Sequence, residues 1–339
     1  MNNFSYSRPQ SAPEAVKLGG VDATMFLAGG TELLNWMRLG ISAPAQVVDI
    51  GLVAEMRGIR KEGNSLWIGA LTTLAQIEAD PLVRKEAPVL AEACLRAASP
   101  QIRNRATLGG NVLQKTRCPY FRAEGQLPWP CNKREPGSGC AALEGAHERH
   151  AIFGWTDACV ATQPSDPIVA LSCLEATIAV VGQRKSREIP AAGFHVTPQE
   201  ATRIAAARGR EAQVETQLGA GELISAFRVP LGNSTRSAYV KVRERESYEY
   251  AAVSAAAAIV IDAGRIQRLR IALGSVAQRP WRLVEAEQAL IGKPLERAVL
   301  AAAIDASMRE ARPLAHNQFK VRLAANAAVR AVEAAGKRT

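Results

Sequence analysis

Long apolar runs, cysteines and export signals are what this chain of 339 residues has least of. No apolar run approaches the roughly 20 residues that a membrane-spanning helix needs, so no membrane span is expected. Six cysteines are too few for a secreted domain held together by disulfides, because such domains are small and dense in cysteine. The first ten residues, MNNFSYSRPQ, lack the basic and then apolar pattern of a secretory signal. Export would therefore require a partner that carries the signal.

Acidic residues are also in the minority, with 32 against 42 basic residues and a net charge of +10. A basic surface suits nucleic acids, phosphorylated cofactors or acidic partner proteins. The basic residues are scattered, however, and no helix-turn-helix, zinc-finger or RNA-recognition signature accompanies them. We therefore expect no nucleic-acid partner. The four histidines lie outside the motifs of hydrolases and zinc enzymes, so no catalytic residue is predicted.

The spacing of apolar residues predicts an α+β chain that changes character near residue 236. Before that position, MFLAGG (25–30) predicts a strand that ends in a glycine turn. ELISAFRVPL (222–231) predicts an edge strand, because Pro230 has no N–H for a neighbouring strand. Farther on, a long Ala-rich tract with helical periodicity indicates a separate α+β unit at 236–339.

Two glycine pairs follow apolar segments and expose backbone amides. The first lies in LAGGTELL (27–34), where the amides and the start of a predicted helix favour an anion such as a pyrophosphate. The second lies in RNRATLGGN (103–111), where Thr107 and Asn111 add hydrogen-bonding side chains. Each pair also fits a tight turn without a ligand, and neither is a Rossmann or P-loop motif. Together they favour a dinucleotide.

Four of the six cysteines lie in one Pro- and Gly-rich stretch, as Cys118, Cys131, Cys140 and Cys159. Four thiolates so close together suffice for one metal centre. Zinc sites normally use Cys-x2-Cys pairs, which this stretch lacks, so an iron–sulfur cluster is favoured over zinc. His147 and His150 could replace a cysteine as ligand, or they could be surface residues of a helical turn.

Three further features have a structural interpretation, and two of them also a functional one. The motif Pro164-Ser165-Asp166 fits an ordinary helix cap, or it places a carboxylate near a ribose. The segment YVKVR (239–243) fits a half-buried strand with a basic face, or it places a lysine beside a flavin, where positive charge stabilises the reduced form. Cys94 and Cys173 lie in apolar segments, and we expect both to be inert core residues.

AGGTELL, RNRATLGGN and PSD, in this order, resemble the FAD-binding subunits of molybdenum hydroxylases related to xanthine dehydrogenase, over essentially the whole chain. The cysteine stretch, with TRCPYF, PCNKREPGSGCAALEG and ACVATQPSD, is similar to that of the periplasmic aldehyde oxidoreductases of this family, whose flavin subunit also carries a [4Fe-4S] cluster. The resemblance implies an α+β fold: the two-subdomain FAD-binding fold of the vanillyl-alcohol oxidase (PCMH) type and a small α+β C-terminal domain. The implied divisions are FAD-binding subdomain 1 (1–60), subdomain 2 (61–235) with an iron–sulfur loop (117–160), and a CO-dehydrogenase-flavoprotein-like domain (236–339).

The resemblance also implies the site residues. The FAD pyrophosphate would be held by Phe26, Leu27, Ala28, Gly29, Gly30, Thr31, Glu32, Leu33 and Leu34. Further FAD contacts would come from Ile102, Thr107, Gly110 and Asn111. Asp166 would bind near the ribityl or ribose group, and Lys241 would approach the flavin. The cluster ligands would be Cys118, Cys131, Cys140 and Cys159.

The activity implied by the resemblance is electron transfer inside a heterotrimer. A large molybdopterin-binding subunit would oxidise an aldehyde to a carboxylate at its molybdenum-pterin cofactor. Electrons would pass through the [2Fe-2S] clusters of a small subunit to FAD on this chain, and then to an external acceptor. The expected compartment is the periplasm, by co-export with a signal-bearing partner, and otherwise the cytoplasm. Excess positive charge, including Lys133 and Arg134, would serve the FAD phosphates and acidic partner surfaces.

Other interpretations stay open. A zinc-stabilised interaction or scaffold protein would use the cysteines without redox chemistry. A stand-alone flavin oxidase would need its own substrate pocket with an acid–base residue, for which the sequence offers no convincing candidate. The cluster itself could carry electrons, or it could only stabilise its loop.

Overall fold

The computed structural model describes residues 2–207, 214–232 and 236–338. Three β-sheets and surrounding helices build these parts of the chain, which confirms the predicted α+β class. No helix in the described parts has both the length and the apolar character needed to cross a membrane. The predicted domain ranges include 208–213 and 233–235, which lie outside the described residues, and their boundaries stay predictions.

The N-terminal sheet is parallel. Its elements are β1 (Ser5–Ser7), α1 (Ala12–Gly19), β2 (Thr24–Leu27), α2 (Leu33–Arg38) and β3 (Gln46–Asp49). The strand order is β1-β3-β2, and parallel neighbours need crossover connections, which contain α1 and α2. Helix α1 begins after Ser11, whose side chain accepts a hydrogen bond from the N–H of Glu14. Strand β2 ends where the first glycine pair begins, as predicted.

A five-stranded antiparallel sheet forms the second unit. Its strands are β4 (Ile59–Glu62), β5 (Ser65–Gly69), β6 (Thr177–Val181), β7 (Ser186–Pro190) and β8 (Leu223–Pro230). The helices of this unit are α3 (Leu74–Ala79), α4 (Pro81–Glu86), α5 (Pro88–Arg96), α6 (Pro100–Arg103), α7 (Leu108–Val112), α8 (Pro119–Arg122), α9 (Asp166–Cys173), α10 (Ala191–Phe194) and α11 (Pro198–Ala207).

The order β4-β5-β8-β6-β7 puts β8 at the centre of this sheet, so the edge-strand prediction is wrong. Pro230 is tolerated because it is the last residue of β8 and lies opposite Ser65, the first residue of β5. Central and edge strands differ in which strands lie beside them, and that pairing is fixed by distant parts of the chain.

The C-terminal unit contains an antiparallel sheet covered by helices. Its elements are β9 (Ser237–Val242), β10 (Val253–Asp262), β11 (Arg265–Gly274), β12 (Trp281–Arg282), α12 (Val284–Ala289), α13 (Arg297–Ser307) and α14 (Phe319–Gly336). The strand order is β12-β11-β10-β9.

Strand β10 joins two hydrophobic cores. Ala255 and Ala257 belong to the core of the C-terminal unit, whereas Ala256 and Ala258 belong to the core of the second unit. This alternation follows from the two-residue period of a strand. Helices α14 and α9 both pack against β10, and alanine side chains leave room for close helix packing. The C-terminal unit is therefore packed against the second unit, which contains the second glycine turn.

Candidate flavin and metal-cluster site

A cavity of about 420 Å³, here called the first cleft, opens beside the first glycine turn. Its walls come from both glycine turns, from 161–163 and from 221–224, and Gln278 of the C-terminal unit completes them. Nine residues with a predicted role at the cofactor line it: Phe26, Ala28, Gly29, Gly30, Thr31, Glu32, Leu33, Thr107 and Gly110. The structure thus brings the two glycine turns together at one cavity.

The two glycine turns touch each other directly. A Cβ on Gly29 would lie 2.0 Å from the carbonyl oxygen of Arg105, so only glycine fits between the turns. Gly30 has a φ of +79°, in the left-handed region that favours glycine. In the second turn, Thr107 accepts a hydrogen bond from the N–H of Gly110 at 3.2 Å and caps α7. Each turn therefore fixes the backbone of the other.

The first turn carries unpaired backbone donors. From Gly29 to Glu32, the four consecutive N–H groups find no hydrogen-bond acceptor among the described residues. Backbone N–H groups without an acceptor are uncommon away from solvent, and a run of them is a typical anion site. Because α2 begins only at Leu33 and is short, these donors rather than a helix dipole make the turn attractive to an anion.

The glycine turns also border a second cleft of about 340 Å³. Leu27 and Leu34 line this second cleft instead of the first, together with the three arginines Arg8, Arg57 and Arg105. Five residues line both clefts: Ala28, Gly29, Gly30, Leu71 and Thr107. The glycine turns therefore lie between two clefts, which suits a long ligand whose middle is anionic.

The acidic residue of the first turn, Glu32, is neutralised by arginines. Its carboxylate accepts hydrogen bonds from Arg117 and, at 2.8 Å, from Arg122. The indole N–H of Trp36 donates to the same carboxylate at 2.8 Å. Two cations on one carboxylate leave a net positive charge beside the turn, which favours an anionic ligand. Because the two arginines flank Cys118, they also tie this turn to the cysteine stretch.

Two predicted FAD contacts of the second turn lie outside both clefts. Asn111 accepts a hydrogen bond through Oδ1 from the hydroxyl of Ser165 at 2.6 Å, which joins the turn to the start of α9. Ser165 is the N-cap of α9, as predicted. Ile102 is partly buried and packs against the main hydrophobic core. The structure thus gives both residues packing partners, and their contact with FAD stays a prediction.

Asp166 and Lys241 also lie outside the two clefts and form a buried ion pair of 2.8 Å. The hydroxyl of Tyr239 donates to the same carboxylate at 2.6 Å, and the ammonium also donates to the carbonyl of Arg96 at 3.0 Å. Burial raises the pKa of Tyr239, and the Asp166 charge raises it further. The structure therefore does not bring this pair together with the glycine turns. The Asp166–Lys241 ion pair joins α9 to β9, and its predicted contact with the flavin stays a prediction.

The four predicted metal ligands line one small cavity, the cysteine cavity, as Cys118, Cys131, Cys140 and Cys159. Cys131 and Cys140 face each other in an isolated antiparallel bridge. All four are free thiols, as are the buried Cys94 and Cys173. Burial raises the pKa of Cys118 to about 12 and also raises the pKa values of Cys131 and Cys159. Metal binding would therefore release protons from these thiols.

The four thiols do not form a ready site for a single metal ion. In the parts of the chain that the structure describes, no three His, Cys, Asp or Glu side chains lie close enough to hold one metal ion. The thiolates of a zinc site converge to about 2.3 Å from one ion. In a [4Fe-4S] cluster each thiolate binds a different iron, so the sulfurs lie farther apart. The four thiols line one small cavity, and their number and type match such a ligand set.

The cysteine cavity and the first cleft share a wall. Thr116, Lys133 and Ala161 line both spaces. The ammonium of Lys133 is buried in this wall, 2.7 Å from one carboxylate oxygen of Glu215, and Lys115 lies 2.5 Å from the other oxygen. The two cavities are therefore separated by one layer of side chains with a lysine–glutamate–lysine network.

Lys133 and Arg134 are both engaged inside the chain, and their predicted contact with acidic partner surfaces stays a prediction. The side chain of Lys133 is only 6% exposed. Arg134 donates to the backbone carbonyls of Phe121, Ala123 and Gly125, so it holds the cysteine stretch together. Local sequence could not reveal this, because Glu215 lies far from Lys133 along the chain.

Replacing Glu215 by glutamine should lower the stability of the protein. Glutamine removes the negative charge and offers an amide N–H where one of the two ammonium groups had an acceptor oxygen, at a cost of about 2 kcal/mol. Burial alone would raise the pKa of Glu215, but Lys133 and Lys115 outweigh it and hold that pKa well below its usual range. The wild-type ion pairs therefore contribute fully above the ordinary value of 4.5, and this contribution is lost as the pH falls below it.

Thermal unfolding midpoints of wild type and Glu215→Gln, taken from about pH 7 down to about pH 3, check this expectation. The difference between the two proteins should narrow as the solution becomes acidic. A difference that stays constant with pH would contradict the assigned ion pairs.

The two histidines of the cysteine stretch are buried, so their interpretation as surface residues is wrong. Nδ1 of His147 lies 3.0 Å from the carbonyl oxygen of Ala142, and its Nε2 accepts from the backbone N–H of His316 at 3.0 Å. His150 lines the cysteine cavity. A third histidine, His195, lies in the wall of the first cleft and was not predicted from any motif.

An α+β fold that sets two glycine turns between two clefts defines a dinucleotide-binding protein. Two family models match the chain: the FAD binding domain in molybdopterin dehydrogenase at residues 2–232, and the CO dehydrogenase flavoprotein C-terminal domain at residues 237–335. The chain therefore belongs to the FAD-binding subunits of the molybdopterin dehydrogenase family, and it is a flavoprotein subunit of an oxidoreductase. The prediction of this family and of FAD as cofactor is confirmed.

Individual relatives match over nearly their full length. The aldehyde oxidoreductase FAD-binding subunit PaoB of Escherichia coli (strain K12) is 41% identical over 327 residues, covering 96% of this chain and 95% of the relative. The carbon monoxide dehydrogenase medium chain of Hydrogenophaga pseudoflava is 29% identical, covering 99% of this chain and 98% of the relative. The names of these relatives do not mention a metal cluster on the flavin subunit.

Solved structures support the same fold. A chain of carbon monoxide dehydrogenase from Hydrogenophaga pseudoflava, in a form that lacks the Mo-pyranopterin moiety, superposes with a TM-score of 0.74 at 28% identity. The match covers 99% of this chain and 98% of the solved chain. The predicted FAD-binding fold with a small C-terminal domain is confirmed by this likeness.

Proposed function

We propose that this chain is the electron-transfer subunit of a molybdenum-dependent aldehyde oxidoreductase, and that its four clustered cysteines hold a [4Fe-4S] cluster. The aldehyde assignment is supported by the 41% identity to the aldehyde oxidoreductase subunit. The observation that carries the electron-transfer assignment is the shared wall between the first cleft and the cysteine cavity.

The residues of the glycine turns fit the middle of FAD. The run of free N–H groups from Gly29 to Glu32 offers donors to pyrophosphate oxygens. The arginines of the second cleft and those on Glu32 supply positive charge on either side. The two clefts give the rest of an elongated dinucleotide two directions in which to extend. FAD, when bound, supplies the ability to accept and release one or two electrons.

Two observations support a cluster in the cysteine cavity. The cavity offers four free thiols, and Lys133 lies in its wall. Positive charge near the sulfurs offsets the negative charge of a thiolate-ligated cluster. A cluster held there would add a one-electron carrier beside the flavin. Lys133, Thr116 and Ala161 would separate the two cofactors and keep water from the space between them.

The proposed partners are a small [2Fe-2S] subunit and a large molybdopterin-binding subunit in a heterotrimer, with an external electron acceptor. Their support is the family membership of this chain together with the resemblance of its cysteine stretch. We propose the periplasm as compartment, reached by co-export with a signal-bearing partner. Cell fractionation of a strain that expresses all three subunits, with and without the signal of the partner, tests that location.

The first experiment is anaerobic electron paramagnetic resonance of the dithionite-reduced protein, with flavin, iron and zinc assayed on the same sample. The proposal expects one FAD, about four irons and the signal of a reduced cubane cluster per chain. FAD without iron would remove the cluster from the proposal. Zinc without iron would mean that the cysteines form a structural zinc site.

A second experiment separates the proposal from a stand-alone flavin oxidase. The isolated chain should not oxidise aldehydes, and aldehyde oxidation should appear only with the two partner subunits. Aldehyde oxidation by the isolated chain would contradict the assignment as an electron-transfer subunit.

A further inference from the structure

His150 is the one residue of the cysteine cavity whose buried polar atoms have no assigned role. Its side chain lines the cavity with the four cysteines and is only 4% exposed. Neither Nδ1 nor Nε2 makes a hydrogen bond of normal geometry with the described residues, although the backbone of His147 lies near enough to affect the ring. A buried nitrogen without a partner is destabilising and therefore rare in native proteins. A partner other than the described residues is therefore expected at this position.

The backbone of His150, in contrast, is held tightly. Its N–H donates to the carbonyl of His147 at 3.0 Å, and its carbonyl accepts from the ammonium of Lys320 at 2.8 Å and from the amide of Asn317 at 3.3 Å. These contacts fix where the imidazole lies without using either ring nitrogen. The backbone contacts thus position the ring, which lines the cavity.

The imidazole of His150 is a hydrogen-bond donor in either protonation state, because it always carries at least one N–H. Burial, together with the nearby Lys320 charge, lowers the pKa of His150 to about 4. Sulfur atoms of a cluster, whether inorganic sulfide or cysteine thiolate, are acceptors that carry negative charge. An N–H donor beside them matches their polarity.

We propose that the imidazole N–H of His150 donates a hydrogen bond to a sulfur of the iron–sulfur cluster and so raises its reduction potential. This inference rests on the proposed function, because it requires the cluster. Hydrogen bonds to cluster sulfurs favour the reduced, more negative state and are a main determinant of cluster potential. His150 is a positioning residue in this sense: it tunes electron transfer and takes no part in aldehyde chemistry.

The test compares two substitutions in the purified, cofactor-loaded protein. His150→Leu removes the donor, whereas His150→Gln keeps an N–H group near the same place. Iron per chain is assayed first, and the cluster potential is then measured by a redox titration followed by electron paramagnetic resonance. We expect both variants to retain iron. At a fixed solution potential, His150→Leu should raise the ratio of oxidised to reduced cluster at least tenfold. This corresponds to a reduction potential lower by about 59 mV for a one-electron couple. His150→Gln should keep most of the wild-type reduction potential.

His147→Leu is the matched control, because His147 is equally buried but both of its nitrogens have protein partners. This control should lower the unfolding temperature and leave the cluster potential unchanged. An unchanged potential in His150→Leu would overturn the inference. Loss of iron in that variant alone would also overturn it, since His150 would then be an iron ligand. Wild-type protein that lacks iron would overturn the proposed function itself, and the inference with it.

Discussion

Serine in place of Cys131 is expected to remove the iron from the protein while FAD stays bound. A serine hydroxyl is a much poorer ligand for iron than a thiolate, and a cluster that loses one of four ligands is rarely retained. Cys131 lines the cysteine cavity but not the first cleft, so the FAD site keeps its walls. Iron should fall from about four atoms per chain to less than one, with flavin unchanged. Iron and flavin assays on the same sample measure both.

Cys94→Ser is the matched control for that experiment. Cys94 is a free, fully buried cysteine of the core and lies outside the cysteine cavity. The Cys94→Ser protein should keep both iron and FAD, although its stability should fall. Iron loss in both variants would point to a general folding defect and would contradict the assignment of Cys131 as a ligand.

The same Cys131→Ser protein decides what the cluster does. If electron delivery from the partner subunits to the acceptor falls while FAD content stays, the cluster carries electrons. If FAD content and turnover are both unchanged, the cluster only stabilises the loop that holds it. The buried wall of Thr116, Lys133 and Ala161 favours the first outcome, because it holds the two cofactor spaces next to each other. A cluster with a purely structural role would not need to lie next to the flavin site.

Local sequence signals predicted the parts of this site that depend on neighbouring residues. The glycine turn after β2 and the cap at Ser165 each result from residues a few positions apart, and both lie where expected. The four cysteines were predicted as a set because the stretch contains them all, and the structure does place them around one cavity. Short-range chemistry of this kind needs no knowledge of the fold.

Features that depend on distant contacts were not predictable. Glu215 meets Lys133 across 82 residues, and no motif surrounds either one. Strand β8 lies at the centre of its sheet because β5 and β6 pair with it, which Pro230 alone could not reveal. Nor could the burial of His150 be predicted, because the groups that cover it come from the C-terminal unit: Lys320 and Asn317 hold its backbone from there.

The first turn and the cysteine stretch are also coupled electrostatically. Arg117 and Arg122 flank Cys118, and both bind Glu32 of the turn. The first turn and the cysteine stretch are therefore joined by two ion pairs as well as by Lys133 in the shared wall. This coupling is why stability and both cofactor contents need to be measured together in any variant of the site.

Alanine in place of Gly29 is expected to weaken FAD binding by about a hundredfold, equivalent to about 2.7 kcal/mol. The new Cβ would lie 2.0 Å from the carbonyl oxygen of Arg105, and that atom belongs to backbone that cannot move independently. The two turns must therefore separate, which carries the free N–H groups of Gly29 to Glu32 away from the pyrophosphate position. Overpacking of this kind also costs about 1–3 kcal/mol of stability. Fluorescence titration of the FAD-free protein with FAD measures the affinity.

Gly193→Ala separates loss of the FAD site from a general effect of adding a methyl group. A Cβ on Gly193 would meet only the side-chain amide of Gln217, at 3.7 Å, which is ordinary contact. This variant should bind FAD like wild type. If Gly29→Ala also binds FAD like wild type while remaining folded, the glycine turns do not hold the pyrophosphate. The cofactor would then have to bind the first cleft in another way, because the close contact between the turns is what fixes the donors in place.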